Sequence, residues 1–243
     1  MKLVIFLFFA GLLLANPVIN SAHLAQAVYE DSPQTQFKLL YQHENKLFGN
    51  KLLAFYDAQT ETIYLTIRGT DKLSNWISNT HIAENALDLV ANYLISENYQ
   101  KYYHEFKKGN QAWFVSAFKD LEKACLKILK KHPNTKIIFT GHSYGGLMAN
   151  LVAQSIYHAN PQINLECHSF NSPGAQEIRK NSLKLPHMPT EILENSFFNH
   201  VRITDIIGNT NTHEGNLLYY QPVLNAHAID RFVEDLKNGM EPL

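Results

Sequence analysis

Ile137-Ile-Phe-Thr-Gly141-His-Ser143-Tyr-Gly145-Gly146 is the stretch on which the reading of this chain turns. It is a G-x-S-x-G pattern. A short β-branched apolar run at 136–140 precedes it, as in a buried central strand. A helical pattern at 147–159 follows it. A serine held on a tight strand-to-helix turn presents its hydroxyl clear of the backbone, and that context separates a nucleophile elbow from an accidental match. Neighbouring glycines spare the turn Cβ clashes. The helix start faces the serine, where its dipole favours developing negative charge. Ser143 is therefore the candidate nucleophile.

A serine hydroxyl is a weak nucleophile and needs a base. The base needs a carboxylate to fix its tautomer and to stabilise its cation. In a strand–elbow–helix setting the expected chain order is Ser, then Asp or Glu, then His. Downstream carboxylates are Asp205, Glu214 and Asp230. Asp205 is preferred, because residues 197–203 read as a strand running straight into it. Glu214 stands in a polar loop, and Asp230 falls inside a terminal helix. Beyond Asp205 the histidines are His213 and His227. His227 is preferred because it sits between a strand pattern and a helix pattern. His142, inside the elbow, is expected to point away from the chemistry. Two backbone N–H donors should form the oxyanion hole: that of Tyr144, after the nucleophile, and one from the strand-ending turn Arg68-Gly69-Thr70, for which Thr70 is the candidate. No histidine or cysteine cluster has zinc spacing, and no cofactor is called for.

Outward from the elbow, the chain alternates strands and helices. Strands are predicted at 51–56, 62–68, 165–170, 197–203 and 217–223, and helices at 22–30, 112–131, 147–159 and 228–237. In residues 62–67 Ile63, Leu65 and Ile67 alternate with Thr62, Tyr64 and Thr66, a pleated-strand period. Phe114, Phe118, Leu121, Cys125 and Ile128 recur at helical spacing, and Pro133 stops that helix. Such alternation predicts an α/β fold: a mostly parallel central sheet with helices on both faces. Residues 93–110 carry no clear pattern. Ile77, Leu87, Leu89 and Tyr93 are candidates for a lid over the site or for ordinary packing.

The 243 residues suit one domain, with 45% hydrophobic and 18% charged residues and a formal net charge of −1. That balance provides no field for binding nucleic acid. Lys2 and the apolar run 3–15, broken by Asn16-Pro17, have the layout of an export signal peptide and are too short for a membrane span. Cleavage is expected near Ser21 or Ala22, which assigns residues 1–22 to the leader and 23–243 to the domain. Export would permit a Cys125–Cys167 bridge; the alternative is two buried thiols.

These motifs resemble the class 3 lipases, the fungal triacylglycerol-lipase-like branch of the α/β hydrolases. Thr66-Ile-Arg-Gly-Thr70 with Asn75-Trp76-Ile77 is similar to that family's F-R-G-T…D-W segment. Thr140-Gly-His-Ser-Tyr-Gly-Gly146 resembles its elbow, Ser169-Phe-Asn-Ser-Pro-Gly174 its T-F-G-x-P-x strand end, and Val201-Arg-Ile-Thr-Asp205 its strand with the triad acid. The resemblance implies an α/β-hydrolase fold and cleavage of carboxylic esters, lipid acyl esters foremost, with transient contact with lipid surfaces. It implies Ser143, Asp205 and His227 as the triad, with Thr70 and Tyr144 at the oxyanion hole. Thr212-His213-Glu214 resembles a non-catalytic histidine loop of the family. The sequence departs from the pattern at Asn75, where Asp is usual, at Gln111-Ala-Trp-Phe114, where H-x-G-F is usual, and in a short Asp-to-His interval. An inactive exported interaction protein on the same scaffold, or an acyltransferase, are the alternatives to a hydrolase.

Overall fold

The computed structural model describes residues 16–69 and 97–243, with the backbone alone over 97–110. The elements are α1 (Pro17–Ala27), β1 (Lys38–Asn45), β2 (Asn50–Asp57), β3 (Thr62–Ile67), α2 (Glu97–Leu129), β4 (Lys136–His142), α3 (Tyr144–Ala159), β5 (Leu165–Phe170), α4 (Thr190–Ser196), β6 (Phe197–Arg202), β7 (Asn216–Tyr220) and α5 (Ile229–Lys237). A short helical stretch, Gln176–Ile178 continuing into Arg179–Leu183, lies between β5 and α4. The strands form one seven-stranded sheet in the order β1-β2-β3-β4-β5-β6-β7. β1, β2 and β3 pair antiparallel, and β3 through β7 pair parallel.

This strand order explains the layers. Parallel strands that advance steadily in one direction, joined by right-handed crossovers, place those crossovers on one face. On that face α2 and α3 pack Phe114, Leu121, Cys125, Leu147, Leu151 and Val152 against Leu52, Leu65, Ile137, Phe139 and Cys167 of the sheet. The opposite face is left to the terminal helices. α1 covers it with Leu24, beside Val28, against Leu53, Phe55, Tyr64 and Ile138. α5 brings Phe232, Val233 and Leu236 against Phe170 and Tyr220, and Ala22 and Ala25 of α1 join that cluster. The alternation read in β3 therefore sorts residues between two buried layers, and all six positions of that strand are buried.

Two expectations need correction. The predicted helix at 22–30 begins earlier, at Pro17: Asn16 caps it by accepting from the backbone N–H groups of Val18 and Ile19, and proline suits the first helical position. Ser21, Ala22, Leu24 and Ala25 of this helix are fully buried, and the Ser21 carbonyl accepts a hydrogen bond from Thr140 of β4. A cut at Ser21 or Ala22 would remove half of a helix that belongs to the core. The segment 97–110, which had no clear pattern, is the first half of α2. β1 and α4 carry no strong sequence signal and were not anticipated. Cys125 and Cys167 are free, buried thiols, so the second of the two cysteine readings holds. Thr70 and the lid candidates Ile77, Leu87, Leu89 and Tyr93 lie outside the described residues.

Candidate active site

The site lies at the carboxyl ends of β4 and β6, where ligands of parallel α/β sheets bind. β4 is the sheet's centre and delivers its chain directly into Ser143. That residue has φ 57° and ψ −130°, a left-handed conformation rare for a residue with a Cβ. The turn holds because its surroundings fix it. The Ser143 N–H donates to the Phe170 carbonyl at 3.0 Å, and the Ser143 carbonyl accepts from Gly146 N–H at 3.0 Å and Leu147 N–H at 3.2 Å. Gly145 lies so close to the end of β3 that a Cβ there would stand 2.3 Å from the Ile67 carbonyl oxygen. Strain concentrated at one residue within an over-determined turn is characteristic of functional positions. α3 begins at Tyr144, directly after the nucleophile, so its positive dipole end lies at Ser143.

Asp205 follows β6 and is buried. One carboxylate oxygen, Oδ1, accepts from Gly208 N–H at 2.9 Å. The other, Oδ2, meets His227 Nδ1 at 2.8 Å. His227 lies on the loop between β7 and α5, and its Nε2 stands 3.0 Å from Ser143 Oγ. With the carboxylate accepting at Nδ1, that nitrogen carries the proton, and the Nε2 lone pair faces the serine hydroxyl. Three side chains from widely spaced segments thus form one continuous hydrogen-bonded line. The loop carrying His227 is held by Asn171, whose Nδ2 donates to the Ala226 carbonyl at 2.7 Å, while its Oδ1 accepts from Arg202 N–H at 3.0 Å.

The competing candidates are engaged elsewhere. His213 Nε2 donates to the Gly208 carbonyl at 2.7 Å, and burial holds its pKa below the ordinary value. Glu214 is buried in an ion pair with Arg179 Nε, at 2.9 and 3.0 Å, and also accepts from Gln154 at 3.1 Å. Asp230 lies in the first turn of α5 and is exposed.

His142 departs from expectation. Its ring packs against that of His227, with centroids 4.7 Å apart, and its Nε2 donates to the His227 main-chain carbonyl at 2.6 Å. Burial, reinforced by the neighbouring His227 imidazole, pushes the His142 pKa down to about 4. Neither His142 nor Asn171 was recognised from sequence as part of this arrangement. The only signal for His142 was its place next to the nucleophile; Asn171 lies in the β5 strand-end motif, where no role had been assigned to it. No group of three or more metal-ligating side chains occurs among the described residues.

A mostly parallel sheet with an elbow serine at its centre and helices on both faces is the α/β-hydrolase fold. Within that class, the family model for lipase (class 3) matches residues 64–214, and the chain belongs to that family. A lipase of Rhizomucor miehei is 27% identical over 108 residues. That match takes in 44% of this chain and only 26% of the relative's length. Among solved structures, a triacylglycerol lipase of Penicillium expansum superposes with a TM-score of 0.54 at 14% identity, covering 88% of this chain and 82% of that one. A triacylglycerol lipase described as having a serine protease triad at its catalytic centre gives a TM-score of 0.54 at 17% identity, covering 84% and 78%. At such identities these likenesses establish the fold.

Proposed function

We propose that this protein hydrolyses carboxylic esters, lipid acyl esters in particular, through an acyl-serine intermediate. The observation that carries this reading is the line Ser143 Oγ–His227 Nε2–His227 Nδ1–Asp205 Oδ2, with contacts of 3.0 and 2.8 Å. His227 takes the Ser143 proton as the oxygen attacks the ester carbonyl. Asp205 keeps the imidazole in the productive tautomer and stabilises the imidazolium that forms. The N–H of Tyr144 and the start of α3 stabilise the oxyanion, with the Thr70 N–H as its partner. The protonated His227 then gives its proton to the leaving alkoxide. Water, deprotonated by His227, releases the acid and restores the serine.

Lipid substrates are supported by family membership and by the surface around the site. Ile203, Ile206, Ile207 and Leu224 are exposed on the loops that carry Asp205 and His227, and exposed apolar side chains around a site favour an apolar partner. Export through an N-terminal leader belongs to the same reading. The burial of α1 favours a leader that ends before Asn16, with the domain running from there. The test is turnover of a chromogenic short-chain ester and of an emulsified acylglycerol. Parent protein should hydrolyse both and Ser143→Ala neither; equal rates for the two would refute the reading.

A further inference from the structure

The contacts around His142 form a chain whose direction is fixed by chemistry. The His227 carbonyl can only accept, so His142 Nε2 carries the proton of their 2.6 Å hydrogen bond. In the neutral ring Nδ1 then has a lone pair. That nitrogen lies 3.3 Å from the hydroxyl of Tyr29, which must be the donor. The hydroxyl oxygen in turn accepts from Gly69 N–H at 3.1 Å. The sequence of donations is Gly69 N–H to Tyr29, Tyr29 O–H to His142, and His142 N–H to the main chain of His227.

This chain ties together three segments that the reaction must hold in register. Gly69 ends the β3 side of the site, one residue before the oxyanion candidate. His142 is the last residue of β4, adjacent to the nucleophile. His227 lies on the loop before α5. Gly69 approaches so closely that a Cβ would stand 2.2 Å from the Tyr29 hydroxyl and 2.6 Å from the His142 carbonyl oxygen. Tyr29 stands in the turn just after α1, whose burial fixes where its ring can reach; Tyr29 N–H donates to the Gln26 carbonyl at 3.1 Å. The Tyr29 and His142 rings stand edge to face, with centroids 6.2 Å apart.

We propose that Tyr29 and His142 are positioning residues for ester hydrolysis: they set the His227 backbone and the Gly69 amide relative to Ser143 without touching the reacting atoms. The inference rests on the ester-hydrolysis reading above. A displacement of the base or an oxyanion donor by a fraction of an ångström leaves substrate binding largely intact and lowers the chemical step, since productive geometry is lost steeply with distance.

The test measures turnover per active site, titrated with a fluorophosphonate so that misfolded molecules are not counted. Tyr29→Phe removes the hydroxyl alone. His142→Phe removes both ring nitrogens. Each should lower kcat per titrated site by about 10- to 100-fold with KM within about twofold of the parent. His142→Gln, whose amide N–H can reach the His227 carbonyl, should recover kcat to within about fivefold of the parent, an order-of-magnitude expectation from restoring that bond. Turnover per titrated site unchanged in Tyr29→Phe and His142→Phe would overturn the proposal, and so would a glutamine variant no better than phenylalanine. A parent protein that takes no label would overturn the ester-hydrolysis reading and this proposal with it; a labelled parent with unaffected variants overturns this proposal alone.

Discussion

Asp205→Asn changes one atom's chemistry at a site where the geometry dictates the consequence. In the parent, Oδ1 accepts from Gly208 N–H at 2.9 Å and Oδ2 accepts from His227 Nδ1 at 2.8 Å. Asparagine has one acceptor and one donor end, so it can serve only one of these partners. Turning its NH2 toward Gly208 would set two donors against each other in a buried place, at a cost of about 1–3 kcal/mol for the unmade bond. The amide oxygen therefore stays on Gly208 and the NH2 faces His227 Nδ1. That forces Nδ1 to accept and puts the ring proton on Nε2, opposite Ser143 Oγ. The imidazole in that tautomer cannot take the serine's proton. A loss of about 10⁴ in kcat follows, or roughly 5 kcal/mol of transition-state stabilisation. Chromogenic ester turnover, normalised to folded protein by circular dichroism, measures it. A variant within tenfold of the parent would refute the assignment of Asp205 and the tautomer argument together.

Three further outcomes follow from buried groups. His142 and His200 have pKa values depressed by burial, His142 to about 4 and His200 well below the ordinary range. The unfolded chain thus binds more protons than the native one below the unfolded value near 6.5. Stability is complete above that pH and falls as pH drops toward the folded values. Urea denaturation at pH 5.5 should give less stability than at pH 7.5, with His142 alone contributing about 1.4 kcal/mol of the loss, and equal or greater stability at pH 5.5 would contradict this. Arg179→Ala strands the buried Glu214 carboxylate and should cost about 3–5 kcal/mol by urea denaturation, whereas Arg179→Met with Glu214→Leu should recover most of it. A chain starting at His23, which lacks the capped first turns of α1, should melt many degrees below one starting at Asn16, or not fold.

How far the sequence could be read depends on how local each determinant is. The elbow was legible because glycines, serine and flanking patterns all lie within ten residues. Asp205 and His227 followed from strand and helix order alone, and the structure brings both to Ser143. α1 was misjudged for a physical reason. Its Asn, Ser and Ala residues give little amphipathic contrast, since Ser21, Ala22 and Ala25 are buried by small size, so its start at Pro17 was placed five residues late. β1 is an edge strand with polar, half-exposed residues, so neither alternation nor a buried run marks it. The network of His142, Tyr29 and Gly69 joins residues 40 to 113 positions apart. A lone histidine beside the nucleophile gave no sign of which atoms it would reach.

The most direct measurement is the site of covalent capture. Parent protein treated with a fluorophosphonate, digested and analysed by mass spectrometry should carry one phosphonyl group, on the peptide containing Ser143. Heat-unfolded protein and His227→Ala should be labelled far more slowly. A label on another residue, or parent protein that remains unmodified while folded, would contradict the account at its root.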